Sequence, residues 1–169
     1  MAVPTLAYFG AGCGGSILPQ RSAPTPKIRP WDVIIRLDPL LRGQQVVVDI
    51  IGATILETSY EALNVDDYWS ENSGTRKAAA PRSFIFQGDK MSQVEISVKD
   101  PVWGIWKTRG VGQLVGVVFL PTGKPSSSTS KGDPRVTLVP LDKRRYKKTQ
   151  TLQLTVTQEG WRNDTPPVQ

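Results

Sequence analysis

The segment T-L-Q-L-T-V-T at residues 151–157 decides the fold class, because Leu152, Leu154 and Val156 alternate with threonine and glutamine. A period of two puts one side of an extended chain into a core and the other into water, and no helix reproduces that pattern. The same pattern recurs upstream. Trp31, Val33, Ile35 and Leu37 alternate with Asp32, Ile34 and Arg36 before Asp38-Pro39 ends the run. Gln45 to Leu56 (QVVVDIIGATIL) is rich in β-branched residues and reads as a second strand, with Gly52 as a position for a bulge. Short strands are expected at 83–87 and 93–98, where Val94, Ile96 and Val98 share a face. Residues 114–120 (LVGVVFL) form the most apolar strand, expected at the centre of a sheet, and Pro121 stops it. Residues 135–141 add another.

One stretch departs from this period. Thr58 or Ser59 can cap a helix with Glu61 in its first turn, which predicts a short helix from Ser59 to Trp69. Residues 71–82 read as a polar loop, and Trp103 and Trp106 lie near a turn at Asp100-Pro101. With no βαβ alternation, the chain is expected to be α+β and β-dominated, with antiparallel sheets of about seven strands and one or two short helices. Residues 1–30 read as a flexible Pro/Gly-rich arm, 31–160 as a single β-rich domain and 161–169 as a polar tail. Residues 121–134 (PTGKPSSSTSKGDP) make a long loop of the kind that is functional or disordered.

Composition narrows the function. The chain of 169 residues carries a net charge of +6, which makes nucleic acid, an anionic membrane or an acidic protein plausible partners. It contains no histidine and one cysteine, Cys13. That removes the commonest general base, the Ser/His/Asp and Cys/His arrangements, and any Cys/His zinc cluster. Gly10, Gly12 and Gly15 match the spacing of a dinucleotide loop, but no strand precedes them and Pro19 blocks a following helix. Asp66 and Asp67 are adjacent and point apart on a helix, so they do not share a substrate. No catalytic residue, metal or cofactor is expected, and the chain is read as a non-enzyme. The N-terminus lacks a basic segment before its apolar part, and a signal peptide is not expected there.

The strongest charge signal is Lys143, Arg144, Arg145, Lys147 and Lys148, interrupted by Tyr146, with Lys131 and Arg135 upstream. If this run joins two strands, its cations project together and repel unless an anion relieves them. Anionic lipid headgroups or nucleic acid would do so, and Tyr146 could stack on a base of single-stranded RNA. A solvated hairpin turn is the other reading. Trp103 and Trp106 with Lys107 and Arg109 suit an interface, or alternatively core packing at a strand end.

The order of these features resembles the matrix proteins of rhabdoviruses and related negative-strand RNA viruses. The similar stretch runs from QVVVDIIGATIL through SYEALNVDDYW and GVVFLPTGKP to RVTLVPLDKRRYKK and TLQLTVTQEG. The resemblance implies a structural protein of the virion, found also in host cytoplasm and at the inner membrane surface. Such a protein self-associates into homo-oligomers and bridges an anionic membrane and the viral nucleocapsid or RNA, with no small-molecule substrate. The alternative is a jelly-roll capsid or RNA-binding movement protein of a small plant virus. Against the capsid, residues 1–30 carry only Arg21, Lys27 and Arg29 as cations.

Overall fold

A computed structural model describes residues 29–88, 91–123, 132–142, 144–146 and 151–166. Among the described residues, eight strands form two four-stranded sheets packed face to face. In the first, β4 (Gln93–Ile96), β1 (Asp32–Leu37), β7 (Thr151–Thr157) and β8 (Gly160–Asn163) lie in that order. In the second, the order is β3 (Arg82–Phe86), β2 (Val46–Ala53), β5 (Gln113–Phe119) and β6 (Val136–Pro140). The helices are α1 (Val65–Trp69), α2 (Gly74–Ala79) and α3 (Val102–Thr108), with 3₁₀ turns at Pro39–Leu41 and Thr58–Ala62. The β-dominated fold class read from the sequence is the observed one.

Alternation places the core. Val33, Ile35 and Leu37 of β1 and Leu152, Leu154 and Val156 of β7 meet Val46, Val48 and Ile50 of β2 and Leu114 and Val118 of β5 between the sheets. The outer face of the first sheet is polar. There the Arg36 guanidinium donates to Gln93 Oε1 at 3.2 Å and Gln153 Oε1 at 2.8 Å, and Asp164 accepts from Thr155 and Arg162. The outer face of the second sheet is apolar and carries a separate cluster, in which Ile51, Ala53, Val115 and Val117 pack under Val65, Tyr68 and Ala79.

Several expectations are corrected. Ladder partners are antiparallel except that β1 and β7 run parallel, from Asp32 opposite Thr151 to Leu37 opposite Val156. The segment expected as one helix from Ser59 to Trp69 breaks, because Leu63 and Asn64 are extended and the Asn64 side chain caps α1 through the Asp66 and Asp67 N–H groups. The expected polar loop 71–82 contains α2, capped by Ser73. The expected polar tail starting at 161 instead begins inside β8, held because Trp161 turns inward and its Nε1 donates to the Arg135 carbonyl at 3.0 Å. Gly52 is not a bulge. The β2–β5 register passes straight through it, and a Cβ there would sit 2.5 Å from Trp106 Cδ1. The arm, apart from Arg29 and Pro30, and residues 124–131 of the long loop lie outside the described residues.

Candidate functional site

The expected anion-binding cluster is only partly a surface. Arg144 and Arg145 are exposed on a turn that Asp142 organises, with its Oδ1 accepting from Arg144 N–H at 2.9 Å and its carbonyl from Arg145 N–H at 3.0 Å. Lys131, Lys143, Lys147 and Lys148 lie outside the described residues. Tyr146 is 7% exposed, its ring edge-on to Trp31 at 6.0 Å, and its hydroxyl accepts from Asn163 Nδ2 at 3.4 Å. A ring held this way cannot stack on a base, so the role expected of Tyr146 is corrected to anchoring the turn. Arg135 is corrected as well. It is 4% exposed, and its guanidinium is spent on Asp133 and Asp66, each at 2.7 Å. Those bonds, the one to Asp133 foremost, hold its pKa above the ordinary arginine range.

The Trp103 and Trp106 interface is likewise overturned in favour of core packing. Both rings are buried, they meet edge to face at 4.9 Å, and Trp103 Nε1 donates to the Ser97 carbonyl at 3.0 Å. Their spacing of three on α3 puts both on its inner side. Lys107 and Arg109 remain outside, with Ile105, which is 59% exposed.

This helix end adjoins a second exposed apolar element. After β2 the chain turns at Thr54, and Glu57 closes the turn: its Oε2 accepts from Thr54 N–H at 2.6 Å and its N–H donates to the Thr54 carbonyl at 3.2 Å. Gln113 Nε2 ties the same turn to β5 through the Thr54 carbonyl at 3.0 Å. Ile55 and Leu56 project from this braced tip, 60% and 90% exposed. The tip is next to α3. The Ile55 side chain lies over Gly112, Gly112 N–H donates to the Ala53 carbonyl, and Arg109 borders the groove that Glu57 and Tyr60 line. Ile105 and Arg109 are one helical turn apart and share a side. Arg29 and Lys107 flank a neighbouring shallow groove with Trp103 and Asp100. The tip and α3 therefore expose three aliphatic side chains, with Arg109 and Glu57 in one adjoining groove and Arg29, Lys107 and Asp100 in another.

A buried polar cluster lies on the outer side of the second sheet. Asp49, fully buried on β2, accepts from Tyr68 Oη at 2.9 Å, Arg76 Nε at 2.7 Å and Ser83 Oγ at 2.6 Å. Burial first, then the charge of Asp49 and the hydrogen bond to it, push the Tyr68 phenol far up, so it stays a donor. Arg76 also lies over the Trp69 ring at 4.4 Å. Among the described residues the Asp49 carboxylate bonds to α1, α2 and β3, so the cluster joins helix to sheet. Sequence reasoning passes over Asp49. Its signal is a lone carboxylate inside an apolar β-branched run, which burial tolerates only with partners.

No protein-family model and no curated protein matches the chain. Solved structures do. One is Lip of Serratia marcescens, described as a membrane bound component of the type VI secretion system, with TM-score 0.49 and 7% identity over 84% of this chain and 97% of that one. Another is the type VI lipoprotein TssJ1 of Pseudomonas aeruginosa, with TM-score 0.39 and 10% identity over 83% of this chain and 99% of that one. These likenesses are distant and carry no functional argument. The rhabdovirus resemblance is corrected here: no family model or curated protein supports it, and the solved structures named are bacterial secretion components, neither of them a viral matrix or capsid protein. The virion and host-cell locations, the nucleocapsid or RNA partner and the plant-virus alternative fall with it.

Proposed function

We propose that the chain is a non-catalytic β-sandwich that docks reversibly on an anionic membrane surface through the end bearing Ile55, Leu56 and Ile105. The observation that carries this reading is the tip itself: two adjacent aliphatic side chains held out into water by a turn braced at both ends. A convex apolar tip fits a deformable apolar medium better than it fits a rigid groove. Arg109 borders the groove beside it together with Glu57, and Arg29 and Lys107 line a second groove on α3 together with Asp100. Burying three aliphatic side chains contributes about 3–5 kcal/mol, and each net cation near an anionic surface adds about 1 kcal/mol. With one net cation the sum is about 4–6 kcal/mol, which corresponds to dissociation constants from about millimolar down to tens of micromolar. Nothing in this reading requires a second copy of the chain. The residue types absent from the sequence support the non-catalytic part, as does the use of the buried charges Asp49 and Arg135 in internal pairs.

The test is flotation of the full chain with vesicles of phosphatidylcholine alone or mixed with phosphatidylglycerol. Binding is expected to be several-fold stronger with the anionic lipid than with phosphatidylcholine alone, and that excess disappears as salt screens the charges. Leu56→Asp and the double variant K107E/R109E are expected to lose binding at least tenfold, while R144E/R145E keeps it. Equal flotation of L56D and the wild-type protein, or loss of binding in R144E/R145E alone, overturns the assignment.

A further inference from the structure

We propose that residues 54–81 form a cover that opens from the second sheet as one unit, and that the Asp49 carboxylate is its latch. The topology permits this. β2 and β3 are direct antiparallel neighbours, from Val46 opposite Phe86 to Ile50 opposite Arg82. Everything between their ends is an excursion folded back on the outer face of the sheet, and lifting it breaks no ladder of either sheet. The cover contains helices of five and six residues, too short to persist alone in water. What keeps them in place is contact with the sheet: the apolar cluster of Val65, Tyr68 and Ala79 on Ile51, Ala53, Val115 and Val117, and the Asp49 cluster.

Three features set the cover apart from the main core. Its apolar cluster is separate from the one between the sheets. Its seal is imperfect, because the buried Trp69 Nε1 has no hydrogen-bond partner among the described residues. It also ends in Ala80, a non-glycine residue at φ 45°, followed by Pro81, so the chain re-enters β3 through a conformation an L-residue adopts under strain. Asp49 sits under the junction and holds both helices, α1 through Tyr68 and α2 through Arg76, while Ser83 fixes the carboxylate from β3. The exposed Asp66 adds an ion pair from the cover to the buried Arg135, which precedes β6. Opening bares Ile51, Ala53, Val115 and Val117, an apolar strip that the closed form hides.

Native-state hydrogen exchange on the full chain, read by mass spectrometry, tests this. Amides of α1 and α2 are expected to share one protection level, at least tenfold below that of β2 and β5, as a sub-global opening requires. Asp49→Asn is expected to speed exchange of 54–81 at least tenfold further while β5 and β7 are unchanged. Tyr68→Phe, which keeps the carboxylate and its arginine, gives a smaller change of the same pattern and serves if D49N fails to fold. If cover and sheet exchange at one common level, or if Y68F accelerates β5 and β7 as much as α1 and α2, the cover does not open independently and the proposal falls. Leu56 lies in the cover's first turn, but flotation reads lipid binding and exchange reads protection of α1 and α2 without lipid, so the two outcomes separate.

Discussion

Replacing Gly52 with alanine tests the packing that removed Trp106 from the surface. The added Cβ would lie 2.5 Å from Trp106 Cδ1 and 2.7 Å from both Cγ and Nε1. Carbon atoms in favourable contact stand about 3.5–4.0 Å apart, so the indole must retreat by about 1 Å. It has little room, since Trp106 is 1% exposed and Trp103 meets it edge-on at 4.9 Å. Overpacking of this kind costs about 1–3 kcal/mol. Alanine also restricts the unfolded chain, which offsets about 0.4–1 kcal/mol of that. The net loss is about 1–2 kcal/mol, or a fall in melting temperature of about 2–8 °C for a chain of this size. Urea unfolding followed by tryptophan fluorescence measures it. The decisive comparison is Gly52→Ala made again in a Trp106→Phe background, where the smaller ring leaves space and the penalty should drop by more than half. An equal penalty in both backgrounds would refute the steric reasoning, and so would a neutral G52A.

Two further predictions concern charge. Arg135→Met should destabilise by about 2 kcal/mol in urea unfolding, because the buried guanidinium's charge-assisted bonds to Asp133 and Asp66 are lost; Asp66→Asn, at a carboxylate 72% exposed, should change stability by less than about 0.5 kcal/mol. The Asp164 carboxyl is held below its usual pKa, chiefly by its bond to Arg162 and despite partial burial. A folded-state pKa below the unfolded one adds stability that is complete above the ordinary carboxylate value and fades as pH falls through the folded one. The stability difference between wild type and Asp164→Asn should therefore be constant from about pH 7 to 5 and close as pH drops below about 4, by urea titration at each pH.

The strands are legible because alternation is a local property. β7 begins and ends where the T-L-Q-L-T-V-T period does, and β1 and β5 lie within a residue of theirs. What escapes is set by distant neighbours. β8 has a polar sequence and is a strand because Trp161 docks over Gly116 beside β6. α2, G-T-R-K-A-A, has no apolar period and exists because Ala79 packs beneath it and Arg76 reaches Asp49. α3 does carry a signal, the three-residue spacing of Trp103 and Trp106, but the same residues read equally as surface aromatics beside cations. The candidate site shows the same limit. Ile55 and Leu56 continue an apolar run and look like buried strand, and only the turn at Thr54 sends them outward. Tyr146 and Arg135 look like part of a basic surface, and it takes Trp31 and Asp133, distant from one and adjacent to the other, to turn them inward.

The parallel seam between β1 and β7 has a kinetic consequence. Asp32 pairs with Thr151 and Leu37 with Val156, so the first strand waits for a partner more than a hundred residues later in the chain. Closing so long a loop is entropically slow, and topologies dominated by such pairings fold in milliseconds to seconds. During synthesis the β2–β5 half can assemble first, while β1 has β4 alone for a neighbour until the last strands emerge. Truncation near the C-terminus therefore strands the beginning of the chain as well as the end.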